Sequence, residues 1–505
     1  MSKTKHYWKG IEEKENSPSF IKQSEKEFSD FIPVDEIFGN QSKNSSHTPR
    51  RDFLKFLGFS VTAATIAACE APINKTIPYV IKPEEITPGV ANWYASSFFD
   101  GTDYCSIIVK TREGRPIKIE GNKLSKITNG ATNARVLASV LSLYDSARLR
   151  NPYKDQKESS WNAVDKDIKD KLESLSASNG NIVILTSSVC SPSTKKSIAD
   201  FTIKYPSTKH VTYDAVSYSG ILDANKQCFG LRYLPVYHFE NADCIVSFGA
   251  DFLTNWVSPI EHAVQYGKAR KLDNRNKIAQ HIQFEANLSV SGSNADFRYP
   301  TKVSELDAAV VCLYNALAKK DGATILKCSP VEEKVMKGVE KTAERLWANR
   351  GKSLVVSGSN NSATQCVINA INYMLAGYGT TIDMNNASMV KQGSDSDLAQ
   401  LVKDMNSGSV GALLMHNVNP VYTYPTKEFE NGLNKVNLSV SFSDKMDETS
   451  SLCNYICPDH HYLESWNDFS SQTGHYSLTQ PTIRPLFNSR SAQESLLKWS
   501  GNKLS

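Results

Sequence analysis

The stretch Cys244-Ile-Val-Ser-Phe-Gly249 sets the pattern from which the fold follows. Residues rich in β-branched and aromatic types stop at a glycine, which is typical of a buried strand that runs into a loop. Further strands are predicted where other short apolar segments are bounded by Gly, Ser, Asn or Asp, at residues 181–185, 210–213, 278–284, 353–356, 412–415 and 438–442.

Helical patterns separate several of these strands. Apolar residues recur at spacings of three and four, which predicts amphipathic helices at residues 161–175, 304–317, 332–349, 363–376 and 398–405. Ser304 is placed to cap the start of one helix, and Gly351 and Gly377 are placed to cap the ends of two others. The alternation predicts an α/β fold of the doubly wound type, with mostly parallel sheets and helices on both faces.

The chain ahead of this α/β body has a different pattern. Residues 105–109 and 116–120 are two strand candidates around the turn Arg112-Glu-Gly-Arg115. Glycine and polar residues favour a tight turn there, so we expect a small antiparallel lobe. The predicted organisation is a polar leader (1–49), a signal segment (50–69), the lobe with the entry to the body (77–160), and an α/β body of two subdomains (161–505).

Arg50 and Arg51 begin the run Arg-Arg-Asp-Phe-Leu-Lys, which has the form of a twin-arginine export signal. The apolar segment that follows, 56–68, is shorter than the ~20 residues of a membrane-spanning helix. We expect an extended leader before this signal, and delivery to the periplasmic face of the cytoplasmic membrane. A chance Arg-Arg before a buried helix and a retained anchor helix are the alternatives. Cys69 fits either a lipidation site or a small apolar residue.

Composition describes an ordinary globular protein. The 505 residues are 40% hydrophobic and 22% charged, and the formal net charge is +4. A charge this small and diffuse gives no support for nucleic-acid binding. The length predicts more than one domain, because single cores stop growing well below it.

Cysteine spacing argues against a metal site. The chain has 10 cysteines but no Cys-x-x-Cys, and only Cys453 and Cys457 lie close together. An iron–sulfur cluster commonly takes about four thiolates from tightly spaced runs, and structural zinc prefers paired ligands. Buried structural thiols are expected where cysteines lie in apolar or mixed stretches, at Cys190, Cys244, Cys312 and Cys366.

Several blocks, in a fixed order, resemble the molybdopterin oxidoreductase family. The strand Gly114-Arg-Pro-Ile-Lys-Ile-Glu-Gly-Asn122 is similar to the strand that follows the family's cysteine-rich hairpin. Four later blocks also match: Leu143-Tyr-Asp-Ser-Ala-Arg-Leu-Arg-Asn-Pro152, Ser247-Phe-Gly-Ala-Asp-Phe252, His416-Asn-Val-Asn-Pro420 and Cys457-Pro-Asp-His-His-Tyr-Leu-Glu464. The resemblance covers the sequence from about residue 77 to about residue 500 and implies the family's doubly wound fold.

Within the family, the chain is most similar to the B subunit of alternative complex III. This similarity rests on the leader with His6-Tyr-Trp-Lys-Gly10, the internal twin-arginine signal and the block from Glu464 to Pro481. That complex oxidises quinol, so the resemblance implies three kinds of partner: an iron–sulfur ferredoxin-like half or subunit, membrane quinol-oxidising subunits and cytochrome c subunits. We expect the family's C-terminal barrel and the ferredoxin-like half to be absent from this chain, by truncation or because a separate gene encodes them.

Departures from the family's ligand pattern count against catalysis. Members with a cluster in the first hairpin hold it largely on three cysteines there, whereas this chain has Cys105 alone. One thiolate cannot hold a four-iron cluster. Ser217 lies in the region of the family's metal ligand, with Ser219 and Cys228 nearby, but a loop or helix cap is the simpler interpretation.

Glycines and asparagines in the strand-end loops are what remains of the family's pterin positions. Gly249 and Asn419 are the main vestigial candidates, with Gly358 and Gly474, and isolated glycines are more often sharp strand exits. Adjacent His460 and His461 point to opposite faces of a strand, so they do not readily share a metal ion.

We therefore expect no catalytic residue, metal or cofactor in this chain. The predicted function is a non-catalytic scaffold subunit of a respiratory quinol-oxidising complex. An active molybdopterin-dependent oxidoreductase that uses Ser217 or a neighbour is one alternative. A periplasmic ligand-binding protein is another, because doubly wound sheets also serve that purpose.

Overall fold

Strands β1 (Ala91–Phe99), β2 (Tyr104–Arg112) and β3 (Arg115–Gly121) pair in that order as an antiparallel sheet, the lobe that the sequence predicts. Glu113 and Gly114 join β2 to β3 with φ of 50° and 75°, as a two-residue type I′ turn requires. The structure is a computed structural model that describes residues 89–272 and 276–502, together with Pro18 and Thr87. The predicted export signal and Cys69 lie outside the described residues.

Fifteen further strands follow in the described chain. They are β4 (Tyr153–Lys154), β5 (Lys157–Glu158), β6 (Asn181–Thr186), β7 (Thr208–Thr212), β8 (Leu234–Tyr237), β9 (Cys244–Phe248), β10 (Gln280–Glu285), β11 (Phe297–Pro300), β12 (Ser353–Ser357), β13 (Ile382–Ser388), β14 (Val410–His416), β15 (Leu438–Ser441), β16 (Tyr455–Ile456), β17 (Asn467–Gln472) and β18 (His475–Thr479).

These strands form three more sheets. The largest has the order β5-β4-β16-β15-β14-β6-β7, and every neighbouring pair from β16 to β7 is parallel. A four-stranded sheet, β11-β10-β9-β12, is wholly parallel. The last sheet, β18-β17-β13-β8, is antiparallel. The prediction of a doubly wound, mostly parallel α/β fold with a small antiparallel lobe is confirmed.

Helices cover both faces of each parallel sheet, so the strands are buried on both sides. Within the described ranges, no helix combines the length and the hydrophobicity needed to span a bilayer. The helices are α1 (Ala134–Ser142), α2 (Trp161–Ala177), α3 (Pro192–Lys204), α4 (Ser219–Phe229), α5 (Pro259–Ala269), α6 (Val290–Ser293), α7 (Val303–Asp321), α8 (Glu333–Ala348), α9 (Ser362–Met374), α10 (Asp395–Asn406), α11 (Pro420–Thr423), α12 (Glu428–Leu433) and α13 (Ala492–Ser500).

The predicted helix caps are displaced. The N-cap of α7 is Lys302 and not Ser304, which lies inside the helix. Gly351 and Gly377 each follow the C-cap residue of α8 or α9 by two positions. Gly351 instead turns the chain into β12: its φ is 83°, and its N–H donates to the carbonyl of Leu375 at 2.7 Å.

Cys312 is wrongly predicted as a free structural thiol, because it forms a disulfide with Cys328. The segment after α7 folds back along the helix and brings the two cysteines together. The amide of Asn315 holds that segment, donating to the carbonyl of Leu326 and accepting from its N–H, both at 2.8 Å. Cys190 and Cys244 are buried free thiols, as predicted.

Strand β12 lies at one edge of the four-stranded parallel sheet, and side chains satisfy its free backbone groups. The buried amide of Asn372, from α9, donates to the carbonyl of Val355 at 2.8 Å and accepts from its N–H at 3.0 Å. Gln365 donates to the carbonyl of Ser357 at 3.1 Å. Polar groups of α9 therefore take the place of a neighbouring strand at Val355 and at the carbonyl of Ser357.

Candidate functional site

A cavity of 710 Å³ opens at the carboxyl ends of the parallel strands in the seven-stranded sheet. The segments that follow β6, β14, β15 and β16 line it, together with the end of β1 and one side of α1. Strand ends of this kind are where doubly wound sheets bind their ligands. We therefore take this cavity as the candidate site.

The lining of the cavity is acidic. Its carboxylates are Asp100, Asp444, Asp447 and Asp459. Arg135 is the single lysine or arginine among the described lining residues, and its Nε atom lies 3.2 Å from Oδ2 of the buried Asp103. Because that carboxylate partly neutralises Arg135, the cavity favours neutral or cationic groups over phosphates.

His416 and Asp459 face each other across the cavity wall. Nε2 of His416 lies 3.0 Å from Oδ2 of Asp459. The other carboxylate oxygen of Asp459 accepts the N–H of Ala492 at 3.2 Å, where α13 begins. Asp459 therefore ties the loop after β16 to a helix start, a structural use of the carboxylate.

The adjacent histidines of the same loop have separate partners. Nδ1 of His460 lies 2.7 Å from the hydroxyl of Ser489, whereas Nε2 of His461 lies 2.8 Å from the hydroxyl of Ser142. Burial lowers the pKa of His461 to about 4, so its ring is neutral at pH 7. The described part of the chain contains no group of three or more His, Cys, Asp or Glu side chains arranged to hold a metal ion.

Short polar side chains close the wall after β6. The hydroxyl of Ser188 donates to Oδ2 of Asp214 at 2.8 Å. The amide of Asn417 donates to the hydroxyl of Ser187 at 2.9 Å, and Asn417 itself has a φ of 55° at the exit of β14. These contacts join the end of β6 to the ends of β7 and β14.

Of the predicted vestigial residues, Asn419 lines the cavity. Its amide donates to Oε2 of Glu448 at 2.7 Å, and its carbonyl oxygen accepts from the hydroxyl of Thr449 at 2.6 Å and from the N–H of Thr449 at 3.2 Å. Asn419 therefore holds the loop after β15 in place, and both the donor and the acceptor of its side-chain amide are engaged within the protein.

The other predicted residues lie elsewhere. Cys105 is buried in the core of the antiparallel lobe, where burial raises its pKa to about 12 and its thiol donates to the carbonyl of Ala131 at 3.3 Å. Ser217 donates to Oδ2 of Asp395 at 2.7 Å. Gly249 makes the exit of β9 with a φ of 67°, and it belongs to the other parallel sheet.

Two further predicted positions have structural uses that the sequence could not show. A Cβ atom at Gly358 would lie 2.5 Å from the carbonyl oxygen of Gly249, so the close approach of these two loops requires glycine there. Gly474, with a φ of 76°, makes the turn between β17 and β18.

Cys190 is the thiol in the lining. It donates to the carbonyl of Met389 at 3.1 Å, and burial raises its pKa to about 12. A metal takes a thiolate as ligand, and a buried, hydrogen-bonded thiol with this pKa stays protonated. The cavity therefore offers no ready sulfur ligand among its described lining residues.

Two of the blocks that carry the family resemblance meet beneath the cavity. Nη2 of Arg148 donates to Oε2 of Glu464 at 2.7 Å, and Nη1 donates to Oε1 at 3.2 Å. Both side chains are buried, at 1% and 0% exposure. Nε of Arg148 lies 3.4 Å from Asp444. Burial raises the pKa of Asp444, and the charge of Arg148 opposes that shift.

Sequence reasoning missed several residues of the cavity. Arg135, Asp444 and Asp447 belong to no recognised motif, although Asp444 and Asp447 follow the predicted strand 438–442 directly. The rule that parallel strand ends converge at one edge was the signal that could have found them.

The comparisons with known proteins agree with this architecture. No family model matches the sequence. The chain is 24% identical over 524 aligned positions to the menaquinone reductase, molybdopterin-binding-like subunit of Nitratidesulfovibrio vulgaris (strain Hildenborough), covering 90% of this chain and 72% of that protein.

A solved structure has the same fold. Acetylene hydratase from Pelobacter acetylenicus superposes with a TM-score of 0.64 at 12% identity, over 81% of this chain and 70% of that one. Taken with the sheets and the strand-end cavity, these matches give the chain a molybdopterin oxidoreductase-like fold and support a relationship with that family.

Proposed function

We propose that this chain is a non-catalytic subunit, without a cofactor of its own, in a respiratory complex that exchanges electrons with quinone. Support comes from the relative in Nitratidesulfovibrio vulgaris, whose name describes a molybdopterin-binding-like subunit of a menaquinone reductase. That match extends over 90% of this chain. The proposed role therefore applies to the whole α/β body and not to a single motif.

The acidic lining of the cavity is the observation that carries the cofactor-free part of the proposal. Asp447 and Asp459 would repel the phosphates of a pterin dinucleotide, and the one partly neutralised arginine of the lining does not offset them. Asp444 adds less to this repulsion, because Arg148 lies 3.4 Å from it and burial raises its pKa. Asn419 is engaged with its own neighbours, and Cys190 is protonated. The residues present therefore do not fit an anionic molybdenum cofactor.

The more specific form of the proposal follows the resemblance to alternative complex III. In that form the chain lies at the periplasmic face of the membrane, exported through the Arg50-Arg51 signal. It contacts a ferredoxin-like half or subunit with iron–sulfur clusters, membrane quinol-oxidising subunits and cytochrome c subunits. Its role is to hold these carriers within electron-transfer distance of one another.

The test is metal and pterin analysis of the native complex. The tagged full chain is purified from detergent-solubilised membranes, and molybdenum, tungsten, iron and oxidised pterin are quantified per mole of chain. We expect iron from the partner subunits, but molybdenum, tungsten and pterin far below one equivalent. The iron is the internal control that the complex stayed intact.

Stoichiometric molybdenum or pterin on this chain would contradict the proposal and favour an active oxidoreductase. Recovery of the chain alone in the soluble fraction, with no partner proteins after gentle lysis, would favour a periplasmic ligand-binding protein instead. Each alternative thus has its own distinct result.

A further inference from the structure

Two cysteines that are 138 positions apart lie on neighbouring helices at the edge of the four-stranded parallel sheet (366 minus 228). Cys228 is in the last turn of α4, and Cys366 is in α9. The two helices pack against each other. The amide of Asn369 in α9 donates to the side-chain oxygen of Asn225 in α4 at 2.9 Å, which fixes their contact near both cysteines.

The geometry of the helix contact brings the two thiols near each other. The Cys366 thiol donates to Oε1 of Gln227, the residue before Cys228, at 3.4 Å. Burial, followed by the neighbouring Cys228, raises the pKa of Cys366 to about 11. Cys228 is exposed and Cys366 half-buried, whereas the other free cysteines that the structure describes are buried. An oxidant can therefore reach this pair from the surface.

We propose that Cys228 and Cys366 form a second disulfide when the protein reaches an oxidising compartment. The exposed Cys228, as its thiolate, attacks the disulfide of a protein thiol oxidase and forms a mixed disulfide. Cys366 loses its proton and attacks the Cys228 sulfur, which releases the oxidase as a dithiol. One sulfur–sulfur bond forms and one breaks, and the oxidase carries away the two electrons and two protons.

The bond would act as a clamp on the cover of β12. Residues of α4 pack on one face of the sheet with Ile245 and Val356, whereas residues of α9 pack on the other face with Val246 and Val355. The two helices meet around the β12 edge, whose backbone α9 satisfies. A covalent link between them would keep that edge covered during transient openings of the fold.

This inference rests on the proposed export of the chain to an oxidising compartment. The Cys312–Cys328 disulfide is the internal control, because its formation reports that the protein has met an oxidant. The tagged full chain is isolated from membranes, quenched in acid, alkylated and digested without reduction. Mass spectrometry should find the Cys228 peptide joined to the Cys366 peptide in preparations whose Cys312–Cys328 link is complete. Alkylated Cys228 and Cys366 in preparations with a complete Cys312–Cys328 link would overturn the proposal.

The clamp itself has a separate test. Hydrogen exchange of α4 and α9 amides is compared between the wild type, Cys228→Ser, Cys366→Ser and the double variant. We expect exchange in each single variant to be about tenfold faster, and the double variant to match the singles, because either change removes the same bond. Unchanged exchange would overturn the clamp. Metal analysis does not depend on this bond, so the two proposals fail separately.

Discussion

At the scale of single residues, buried histidines are the main source of the pH dependence of stability. Burial lowers the pKa of three histidines: to about 4 for His281 and His461, and to about 3 for His262. In an unfolded chain histidine titrates near ~6.5, so between that pH and about 4 the unfolded state binds more protons. Glu261 opposes them, because burial raises its pKa to about 7 and the native state then binds its proton first.

We therefore expect the free energy of unfolding to fall as pH drops from about 6.5 toward 4, since three buried histidines outweigh one glutamate. The net difference of two protons predicts about 2.7 kcal/mol per pH unit in the steepest part. Urea unfolding of the full chain at several pH values measures this slope. Equal stability at pH 7 and pH 5 would contradict the expectation.

His262 gives a residue-specific version of that prediction. Its ring lies among Tyr237, Phe239 and Trp256, and its Nδ1 has no hydrogen-bond partner among the residues that the structure describes. His262→Phe removes one titrating group and keeps an aromatic ring in the same space. We expect the pH slope to shrink by about 1.4 kcal/mol per pH unit, with little loss of stability at pH 8. An unchanged slope would show that this ring is already protonated or exposed in the folded state.

The Arg148–Glu464 pair is the residue-scale contact that joins the two family-like blocks. Glu464→Gln removes the two-bond countercharge of the buried guanidinium and leaves Asp444 at 3.4 Å, so we expect a loss of about 3 kcal/mol in unfolding free energy. Glu333→Gln is the matched control, because Glu333 and Lys337 form an exposed pair with side chains 82% and 67% exposed. We expect the control to change stability by less than about 1 kcal/mol. Equal effects would mean that burial does not set the cost.

At the scale of elements, Asn372 replaces the missing neighbour of β12. Asn372→Leu keeps the side-chain volume but leaves the N–H and the carbonyl of Val355 without partners. We expect an unfolding free energy lower by about 2–4 kcal/mol and faster hydrogen exchange in β12. Gln400→Leu, on the exposed face of α10, is the control for a polar-to-leucine change. Similar small effects for both variants would contradict the role of Asn372.

Elements with strong local patterns were predictable from the sequence. Each of the seven predicted body strands begins and ends within two residues of an observed strand, because buried parallel strands read as short apolar runs. The antiparallel sheet of β8, β13, β17 and β18 escaped prediction. Strand β13, Ile-Asp-Met-Asn-Asn-Ala-Ser, and strand β17, Asn-Asp-Phe-Ser-Ser-Gln, are mostly polar, and pairing with distant strands holds them.

The Cys312–Cys328 disulfide could not be predicted for a similar reason. Sequence gives the identity of Cys312 but not the fold-back of the segment after α7, which depends on hydrogen bonds from Asn315. Cap positions failed at Gly351 because the glycine is needed for the turn into β12, two residues beyond the helix C-cap. In both cases tertiary contacts, which local sequence preference does not show, determined the observed structure.

At the scale of the whole molecule, the arrangement of the sheets decides which residues form the site. The blocks that begin at His416 and Cys457 reach the cavity because β14 and β16 lie in one sheet. Gly249 has an equally suggestive sequence context but follows β9, in the other parallel sheet. The family-like blocks therefore identified two of the loops that line the cavity. They could not show that Asp444 and Asp447 line the same cavity.

Export of the whole protein is open to a direct test. Replacing Arg50 and Arg51 together by lysine should retain the chain in the cytoplasm, because the twin-arginine pathway reads that pair. Fractionation against compartment markers measures the result, and Lys55→Arg is the control that changes charge least. Normal export of the double variant would favour a chance Arg-Arg pair.

The covered edge of β12 limits how this molecule joins other subunits. Proteins often associate by adding a strand from one chain to an open sheet edge of another. Here Asn372 already occupies the N–H and the carbonyl of Val355, and Gln365 occupies the carbonyl of Ser357, which an incoming strand would need. A neighbouring chain that approaches this flank must therefore be recognised through the side chains of α4 and α9, and the docking there is between helices.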